Sequence, residues 1–395
     1  MDYNLKKFRE QEFYNYYSHK KIICPFMSSI LLICVLILLQ SCSSNKNDKL
    51  PKIINIDVDG IQESRLNIKI KKLIRIELTN NSIVGRTNTV RYHKERFYIL
   101  DQMYSKALFV FNNQGNFINK TVLGRGPGEI SEPWAFDIDE DRVIVHDQGR
   151  QELVTFDLDL NYINRKRHDT YICDFAKVDS NRYLVRSYEF IKQNRSSNSD
   201  KNVTYALFSD EMGEPKLLDV EVGSQTSSRI MGSPINTFNG KTIFVPAHDY
   251  NIFELKDESA KAIYRVDLGH YKFSQQELSS LGSMEMIQLE REGERIGRFN
   301  SVINSNNFLV FSLGLYPYKT YFYSYSNYTT YKLDDCIENN LIPACGVWGL
   351  IEQNTFFATV KPQDLKEFAK SSGKYQDVEI SEKDNRYIII FEVLI

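Results

Sequence analysis

The sequence RFYILDQMYSKALFVFNNQGNFIN, residues 96–119, decides the fold because the chain repeats its pattern as RVIVHDQGRQELVTFDLDLNYIN over residues 142–164. In both copies a short apolar run ends at an aspartate, Asp101 in the first and Asp147 in the second. Both copies also end on Asn, an aromatic residue, Ile and Asn. A self-similar unit of about 45 residues indicates a repeat architecture.

Each copy of the unit reads as short strands separated by turns. Residues 96–100 and 106–112 are β-branched and aromatic runs, and Gly115 lies in an Asn-rich hairpin before a third run that starts at Phe117. Apolar residues never recur at helical spacing over three turns of the unit, which excludes a two-helix repeat. Three or four short strands per unit describe a propeller blade. The sequence therefore predicts an all-β fold, a six-bladed β-propeller, with seven blades as the alternative.

Two later segments complete this prediction. Residues 274–291 break the strand pattern, and Ser274 followed by loosely spaced apolar residues predicts a small helical insertion. The chain ends on RYIIIFEVLI, residues 386–395, whose apolar side chains are too costly to leave exposed at a free end. An open ring also leaves bare sheet edges. We therefore expect this last strand to join the early strand pattern of residues 65–78 and close the ring.

The first 41 residues have the pattern of a secretory signal, because basic residues precede the apolar run IICPFMSSILLICVLILL at residues 22–39. The sequence Leu-Gln-Ser-Cys that ends this segment resembles the bacterial lipobox, in which Cys42 receives the lipid. An uncleaved membrane anchor is the alternative, because the run is near the length that spans a bilayer. We predict a signal peptide over residues 1–41, a lipidated N-terminus and tether over 42–60, and the propeller over 61–395.

Charge and cysteine content restrict the partners and the compartment. The formal net charge is −2, which argues against a nucleic-acid partner, since such a partner requires a basic surface. After Cys42 the chain contains Cys173, Cys336 and Cys345. The last two could form a disulfide in an oxidising compartment, but their spacing is equally compatible with two free thiols.

A glycine-rich stretch, GRGPGE at residues 124–129, lies between the two repeats, and Phe-Asp-Ile follows at residues 136–138. Together with the strands that end at Asp101 and Asp147 and the hairpin at Gly115, these residues resemble the six-bladed β-propeller lipoproteins of Gram-negative bacteria, which are related to NHL-repeat propellers. The resemblance implies a six-bladed propeller on an outer-membrane lipoprotein that faces the periplasm or the cell surface. It implies no catalytic residue.

The glycine-rich loop is the first candidate binding site. Its backbone N–H groups and Arg125 could bind an anion, although Glu129 stands where a dinucleotide fingerprint has its third glycine. The alternative is a structural connection between blades, in which Arg125 and Glu129 form ion pairs. The nearby run Asp137–Asp141 opens like a calcium loop, but Arg142 occupies the position that requires glycine. We expect no metal and no cofactor.

Histidines provide the second candidate. His146 and Asp147 end one strand, and His248 with its neighbouring aspartate ends another, so they would face the central channel or a rim of the ring. The sequence has no histidine pair at metal-ligand spacing and no Gly-x-Ser-x-Gly elbow. A histidine at a strand end is either a ligand or a structural residue held by hydrogen bonds.

Tyrosines provide the third candidate. Tyr321, Tyr323 and Tyr325 alternate along a strand and therefore share one of its faces. Such rings either stack on sugars or peptides or pack between blades. We predict that the propeller binds a glycan, a peptide or an envelope protein through loops on one face, while the membrane holds it by its lipid. The alternatives are an enzyme, such as a hydrolase or lyase, at the channel mouth, and an envelope sensor or assembly subunit.

Overall fold

The computed structural model describes residues 50–60, 65–187, 204–209, 213–220, 235–246, 248–315 and 318–394. Over these residues the strands form a ring of six main sheets, so the predicted six-bladed β-propeller is confirmed and a seventh blade is excluded. The predicted signal peptide and Cys42 lie outside the described residues. Two strands precede the first blade, β1 (Lys52–Asn55) and β2 (Asn67–Arg75).

The first three blades each contain four antiparallel strands that follow one another in the sheet. Blade 1 consists of β3 (Thr89–His93), β4 (Arg96–Asp101), β5 (Ala107–Asn112) and β6 (Phe117–Lys120). A short parallel pair follows, β7 (Val122–Leu123) and β8 (Glu129–Ile130). Blade 2 consists of β9 (Pro133–Asp139), β10 (Arg142–Asp147), β11 (Glu152–Asp157) and β12 (Tyr162–Arg167). Blade 3 consists of β13 (Asp174–Asp179), β14 (Arg182–Arg186), β15 (Tyr205–Ser209) and β16 (Lys216–Leu217).

The last three blades are separated by helices. Blade 4 consists of β17 (Ile235–Phe238), β18 (Lys241–Phe244), β19 (Asn251–Lys256) and β20 (Ser259–Asp267). A 3-10 turn (Gly269–Tyr271) and two helices follow, α1 (Gln275–Ser280) and α2 (Ser283–Arg291). Blade 5 consists of β21 (Phe299–Asn304), β22 (Phe308–Leu313), β23 (Lys319–Ser324) and β24 (Thr330–Lys332), and α3 (Leu333–Glu338) follows it. Blade 6 contains β25 (Gly346–Glu352), β26 (Thr355–Val360) and β27 (Tyr387–Leu394), with α4 (Pro362–Ser372) between the last two.

The ring closes as predicted, because β2 is the outer strand of blade 6. It pairs antiparallel with β27, from Asn67 opposite Leu394 to Arg75 opposite Tyr387. On its other side β27 pairs with β26, so the last strand of the chain lies inside its sheet. The closing strands therefore leave neither edge of β27 bare.

The core lies between neighbouring blades. Because each blade is covered on both faces, its central strands are apolar throughout rather than alternating. All side chains of β22 are buried, for example. The core between blades 5 and 6 contains Phe322, Phe356 and Phe391, whose ring centroids lie 5.2 to 6.4 Å apart. These contacts are the side-chain packing that fixes blade 6 against its neighbour.

The propeller begins earlier in the chain than the sequence indicated. β1 pairs in parallel with β20 and adds a fifth strand to blade 4. Ile54 and Val58 are buried between blades 4 and 5, and Lys332 Nζ donates to the carbonyl oxygens of Val58 and Gly60 at 3.0 and 2.6 Å. Residues 52–60, predicted as tether, are thus held in the fold by alternating apolar side chains.

The two faces of the ring differ in their connections. Since strands alternate in direction, the connections between blades and the loops between second and third strands share one face, which we call the loop face. In the described part of the chain, every helix lies in such a connection. The opposite face carries tight hairpins, such as the turn at Lys94 and Glu95, whose φ values of 43° and 59° suit a two-residue loop.

The predicted helical insertion over residues 274–291 is confirmed as α1 and α2. Ser274 caps α1, because its Oγ accepts a hydrogen bond from the Glu277 N–H at 3.2 Å. The insertion is anchored by a buried ion pair between Glu290 and Arg298, with 2.6 Å between Oε2 and Nε. Arg298 directly precedes β21, so this pair joins the helices to the inner strand of blade 5.

Candidate functional site

A cavity of about 230 Å³ opens in the loop face where blades 5, 6 and 1 meet. One wall is polar and comes from the inner strand of blade 5 and the connection into blade 1, with Asn300, Ser301, Thr87 and Asn88. The apolar part of the lining comes from α3 and the segment that begins blade 6, with Leu333, Ile337, Ala344 and Val347. Because blades 1 and 6 adjoin at the point of closure, the cavity exists only in a closed ring.

An indole ring and a glycine lie together in this cavity. Trp348 is half-buried on β25, and its Nε1 donates to Thr359 Oγ1 on β26 at 2.7 Å, which fixes the ring. A Cβ added at Gly346 would lie 3.8 Å from the indole nitrogen and would meet nothing closer. The glycine thus leaves open space beside a fixed aromatic ring, an arrangement suited to holding a small ligand.

Charged groups of both signs line the same cavity. Arg86, Lys361 and Arg386 contribute positive charge, while Asp334 and Asp364 contribute carboxyls. Burial raises the pKa of Asp364, although nearby Lys361 and Arg386 act to lower it. Burial likewise raises the pKa of Asp334, against the opposing effect of Lys319 and Lys332, which lie outside the cavity lining. Both carboxyls are therefore costly to keep ionised without further compensation.

The connection that carries Arg86 is held in place by Asp101. The carboxylate of Asp101 is fully buried at the end of β4 and accepts five backbone N–H bonds of 2.9 to 3.2 Å, two from residues 85–86 and three from residues 103–105. Burial raises the pKa of Asp101, but the backbone donors outweigh it and hold the pKa below its usual range. The aspartate that marks each repeat is thus a clamp for loop-face backbone.

Asp101→Asn should loosen this clamp, because an amide NH₂ would face N–H donors. We expect the free energy of unfolding, measured by denaturant titration, to fall by about 2–3 kcal/mol. Asp159→Asn is the matched control, since Asp159 is a half-exposed partner of Arg96 and its loss should cost less than about 1 kcal/mol. Equal effects of the two substitutions would show that Asp101 has no special structural role.

Asp147 has the same role in blade 2. Its oxygens accept bonds from the Ser131 N–H, the Ser131 hydroxyl and the Glu132 N–H at 2.7 to 3.0 Å. The neighbouring His146 is fully buried, with its ring centroid 5.1 Å from that of His168. Burial and the nearby His168 hold the pKa of His146 well below its usual range. Both predicted site residues therefore lie in the protein interior, away from the cavity.

His248 is also buried, in the loop-face connection of blade 4, beside Phe273 and Gly297. Burial, aided by the charge of Arg298, lowers its pKa to about 4. It lies at a φ of 54°, a conformation that asparagine tolerates well. The residues packed around His248 belong to the connection that contains the helical insertion, which indicates a structural role for this histidine.

His248→Asn should reduce the acid sensitivity of the fold. The folded pKa is depressed, so below the unfolded value of about 6.5 the unfolded chain binds more protons and stability falls as pH falls. In the wild type, proton uptake by His248 in the unfolded chain should lower the free energy of unfolding by about 3 kcal/mol by pH 4. The variant has no titrating ring at this position and should not show this loss. Denaturant unfolding at pH 7 and pH 4.5 measures it, and His270→Asn, at an exposed histidine, is the control. An unchanged pH slope in His248→Asn would contradict the assignment.

The three tyrosines lie between blades 4 and 5. Tyr321 and Tyr323 are almost fully buried in that core. The hydroxyl of half-buried Tyr325 donates to Asn304 Oδ1 at 2.6 Å, and its ring stacks on Tyr264 with centroids 6.1 Å apart. These rings are engaged in packing between blades, so they offer no open face to a sugar.

The glycine-rich loop contains a carboxylate, that of Glu129, which bonds to the backbone of the same loop. Glu129 turns back so that its Oε2 accepts the Gly126 N–H at 2.6 Å. Arginines of blade 2 bind the loop from outside, since Arg150 and Arg165 donate to the carbonyl oxygens of Arg125 and Gly126 at 2.8 and 2.6 Å. The loop is therefore braced as a connection between blades, with the Arg125 side chain exposed.

Two acids of the run Asp137–Asp141 bond to the neighbouring blade, and two of the cysteines remain as thiols. Asp137 accepts the Lys177 N–H at 2.7 Å, and Asp139 pairs with Lys177 Nζ at 2.8 Å, so both acids bind blade 3. Among the described residues no cluster of three His, Cys, Asp or Glu side chains could hold a metal ion. Cys336 and Cys345 are free thiols, so the disulfide left open by the sequence is not formed in this structure.

Sequence reasoning missed the residues that line the cavity. They come from segments far apart in the chain, so no local spacing brings them together. One signal was present: the connection between β26 and β27, which carries Lys361, Asp364 and Arg386, is far longer than a hairpin requires. Long connections on a rigid scaffold are where binding residues concentrate.

The fold and cavity define a six-bladed propeller with a pocket at the closure point of its loop face. The chain belongs to the family described as domain of unknown function DUF4934, whose family model matches residues 52–392. No curated protein matches the chain. No helix in the described ranges has the length and apolar character needed to cross a membrane.

Two solved structures share the fold. A putative exported protein from Bacteroides fragilis NCTC 9343 has a TM-score of 0.68 at 15% identity, covering 87% of this chain and 99% of that one. A member of the DUF4221 family from Bacteroides vulgatus ATCC 8482 has a TM-score of 0.53 at 10% identity, covering 84% and 99%. At such identities the likeness shows a common fold.

Proposed function

We propose that this protein is a lipid-anchored propeller of the cell envelope that binds a small ligand in the loop-face cavity. The cavity is the observation that carries the proposal, because it combines a fixed indole, an apolar wall and charged groups in a space of about 230 Å³. Ligand sites in proteins have this composition: mostly apolar, with a few placed polar groups. The lining residues come from three blades, so the ring of blades fixes their positions relative to one another.

The proposed location in the cell envelope rests on the N-terminal sequence. The apolar run at residues 22–39 and the lipobox-like Leu-Gln-Ser-Cys before the tether support export and lipidation at Cys42. The similar B. fragilis protein is described as exported, which supports the same compartment. The repeated aspartate clamp and the closing C-terminal strand support kinship with NHL-like propeller lipoproteins of the outer membrane.

Cys42→Ser tests the anchor. The variant should leave the membrane fraction or accumulate unprocessed, while mass spectrometry of the wild type should find a diacylglyceryl group on Cys42. Cys24→Ser and Cys34→Ser, at the other cysteines of this segment, should leave lipidation unchanged. A wild-type protein without lipid on Cys42 would contradict this part of the proposal.

The binding function is tested at Gly346. A leucine there would fill the space beside Trp348, whereas alanine adds only a Cβ in ordinary contact. In a screen of glycans and peptides, Gly346→Leu should weaken any ligand at least about tenfold and Gly346→Ala should bind like the wild type. Ligand binding that Gly346→Leu leaves intact would place the site elsewhere.

An enzyme is the second candidate, favoured by the raised pKa values of Asp334 and Asp364. Carboxyls with raised pKa values in one cavity are a feature of acid–base catalysis. The same screen should therefore follow product formation as well as binding. Turnover that disappears in Asp334→Asn or Asp364→Asn would replace the binding function by a catalytic one.

A further inference from the structure

The charged groups of the cavity are compensated within the protein. Lys361 and Arg386 act electrostatically on the carboxyl of Asp364, which lines the cavity with them. Asp334 likewise lies within the field of two lysines outside the lining. None of the three cations that line the cavity, Arg86 included, is without a partner. A charged ligand would have to break an existing interaction or leave its own charge unpaired, which is costly in a partly buried site. The cavity therefore favours an uncharged ligand.

The polar wall presents two uncharged amide groups, each held by the protein at one end. Asn88 Oδ1 accepts the Gln102 N–H at 3.0 Å, and its NH₂ group donates to no other described residue. Asn300 Nδ2 donates to the carbonyl oxygen of Gly314 at 2.5 Å, and its Oδ1 accepts from no other described residue. A hydroxyl group both donates and accepts hydrogen bonds. A donor and an acceptor on one wall therefore favour a ligand that carries hydroxyl groups.

The apolar part of the lining restricts the shape of that ligand. Trp348 Nε1 is bonded to Thr359 Oγ1, so the indole has only its ring to offer a ligand. Leu333, Ile337 and Val347 add aliphatic surface. A sugar ring has hydroxyl groups at its edge and C–H groups on its faces, so it can satisfy both parts of the lining. The volume of about 230 Å³, at the small end for ligand sites, restricts the bound part to one ring.

We propose that the ligand is one neutral monosaccharide ring, either a free sugar or the terminal residue of a glycan. Its hydroxyl groups bond to Asn88 Nδ2 and Asn300 Oδ1, and a C–H face lies on the ring of Trp348. This inference rests on the proposed function, since it names the ligand class of the same cavity. An apolar peptide side chain would leave both amide groups without a partner.

Trp348 provides the measurement. The chain has two tryptophans, Trp134 and Trp348, so Trp134→Phe leaves the cavity indole as the single reporter. Full-length Trp134→Phe protein in detergent is titrated with D-glucose, D-galactose and D-mannose, and with the uronic acid and the 2-amino sugar of each. We expect at least one neutral sugar to change the Trp348 fluorescence. Its two charged counterparts should bind at least about tenfold more weakly, because the charged groups of the cavity already have partners.

Disaccharides distinguish the two sources of the ring. Cellobiose, lactose and mannobiose carry glucose, galactose and mannose at their non-reducing ends. Tighter binding of the disaccharide than of its free sugar identifies the end of a glycan as the ligand, and the reverse order identifies a free monosaccharide.

Asn88→Asp and Asn112→Asp form the matched pair of variants, both in the Trp134→Phe protein. Each replaces an amide NH₂ by a carboxylate oxygen and keeps the Oδ1 that accepts backbone N–H groups. Only Asn88 lines the cavity, since Asn112 lies in a hairpin of the opposite face. Asn88→Asp should weaken the neutral sugar at least about tenfold, because the donor is lost, and Asn112→Asp should bind it unchanged. Thermal unfolding of both variants separates a binding defect from a folding defect.

The outcomes distinguish this inference from the proposed function. Equal binding of a neutral sugar and its uronic acid, or unchanged sugar binding in folded Asn88→Asp, would overturn the neutral sugar. If no sugar binds while a peptide of the screen binds and Gly346→Leu blocks it, the sugar is wrong and the binding function stands. If no ligand of either panel changes Trp348 fluorescence, both are overturned.

Discussion

Deletion of residues 387–395 is expected to abolish cooperative folding, which is the largest effect that the structure predicts. β27 lies inside blade 6, between β26 and β2, and its removal would expose an edge of each. Tyr387, Ile388, Ile389, Phe391 and Val393 are almost fully buried. At about 1.5–3 kcal/mol for each side chain, their loss is comparable to the whole stability of a domain. Circular dichroism melting of the truncated chain measures the effect.

A single substitution in the same strand tests the mechanism. Phe391 is fully buried, and its ring packs on Phe322 of blade 5 and on Phe356, its neighbour on the adjacent strand of blade 6. Phe391→Ala should lower the free energy of unfolding by about 3–5 kcal/mol. Leu394→Ala is the control, because Leu394 is 39% exposed and its truncation should change stability by less than about 0.5 kcal/mol. A truncated chain with an unchanged melting transition would refute closure by β27.

Arg298→Met is expected to have the second large effect on stability, because it leaves the buried carboxylate of Glu290 without its charged partner. The side chain of Glu290 has no exposure, and apart from Arg298 it accepts only the Gly297 N–H, at 2.9 Å, among the bonds of the described residues. Removing one partner of a buried ion pair costs about 3–5 kcal/mol. Burial already raises the pKa of Glu290, and Arg298 opposes this rise. The penalty should therefore shrink as pH is lowered and Glu290 takes up a proton.

The double variant Arg298→Met/Glu290→Leu removes both charges of the pair. It therefore separates the loss of the ion-pair attraction from the cost of leaving the Glu290 carboxylate buried without its partner. Replacing a buried pair by apolar groups of similar volume is often nearly neutral, so the double variant should recover most of the loss. Urea unfolding at pH 7 and pH 5 compares the three proteins. A double variant as unstable as Arg298→Met, with no dependence on pH, would show that the destabilisation comes from packing alone.

The fold was predictable because its signals are local. The repeated pattern around Asp101 and Asp147 defines a blade, and the apolar residues 386–395 require a partner strand. Both signals depend on the order of apolar and polar residues in short runs, which a single sequence shows directly. The early start of the propeller at β1 was missed because its four residues, Lys52–Asn55, are too few to give a clear period.

The cavity was not predictable because its residues meet only in three dimensions. Arg86 and Trp348 line the same cavity from opposite sides of the ring closure, and no spacing in the sequence relates them. The sequence candidates had unusual residue types, such as His146 or Tyr321, but those side chains proved to be buried. A residue type indicates chemistry, whereas exposure decides whether a ligand can reach it.

The position of β2 has a consequence for biosynthesis. This strand is made among the first of the propeller, yet its hydrogen-bonding partner, β27, is made only after the strands of the other five blades. Pairing over so large a separation in sequence is slow, and apolar edges stay accessible until it occurs. We expect a ribosome-stalled chain with β27 still in the exit tunnel to be digested readily by protease. The same chain should become resistant once it is released.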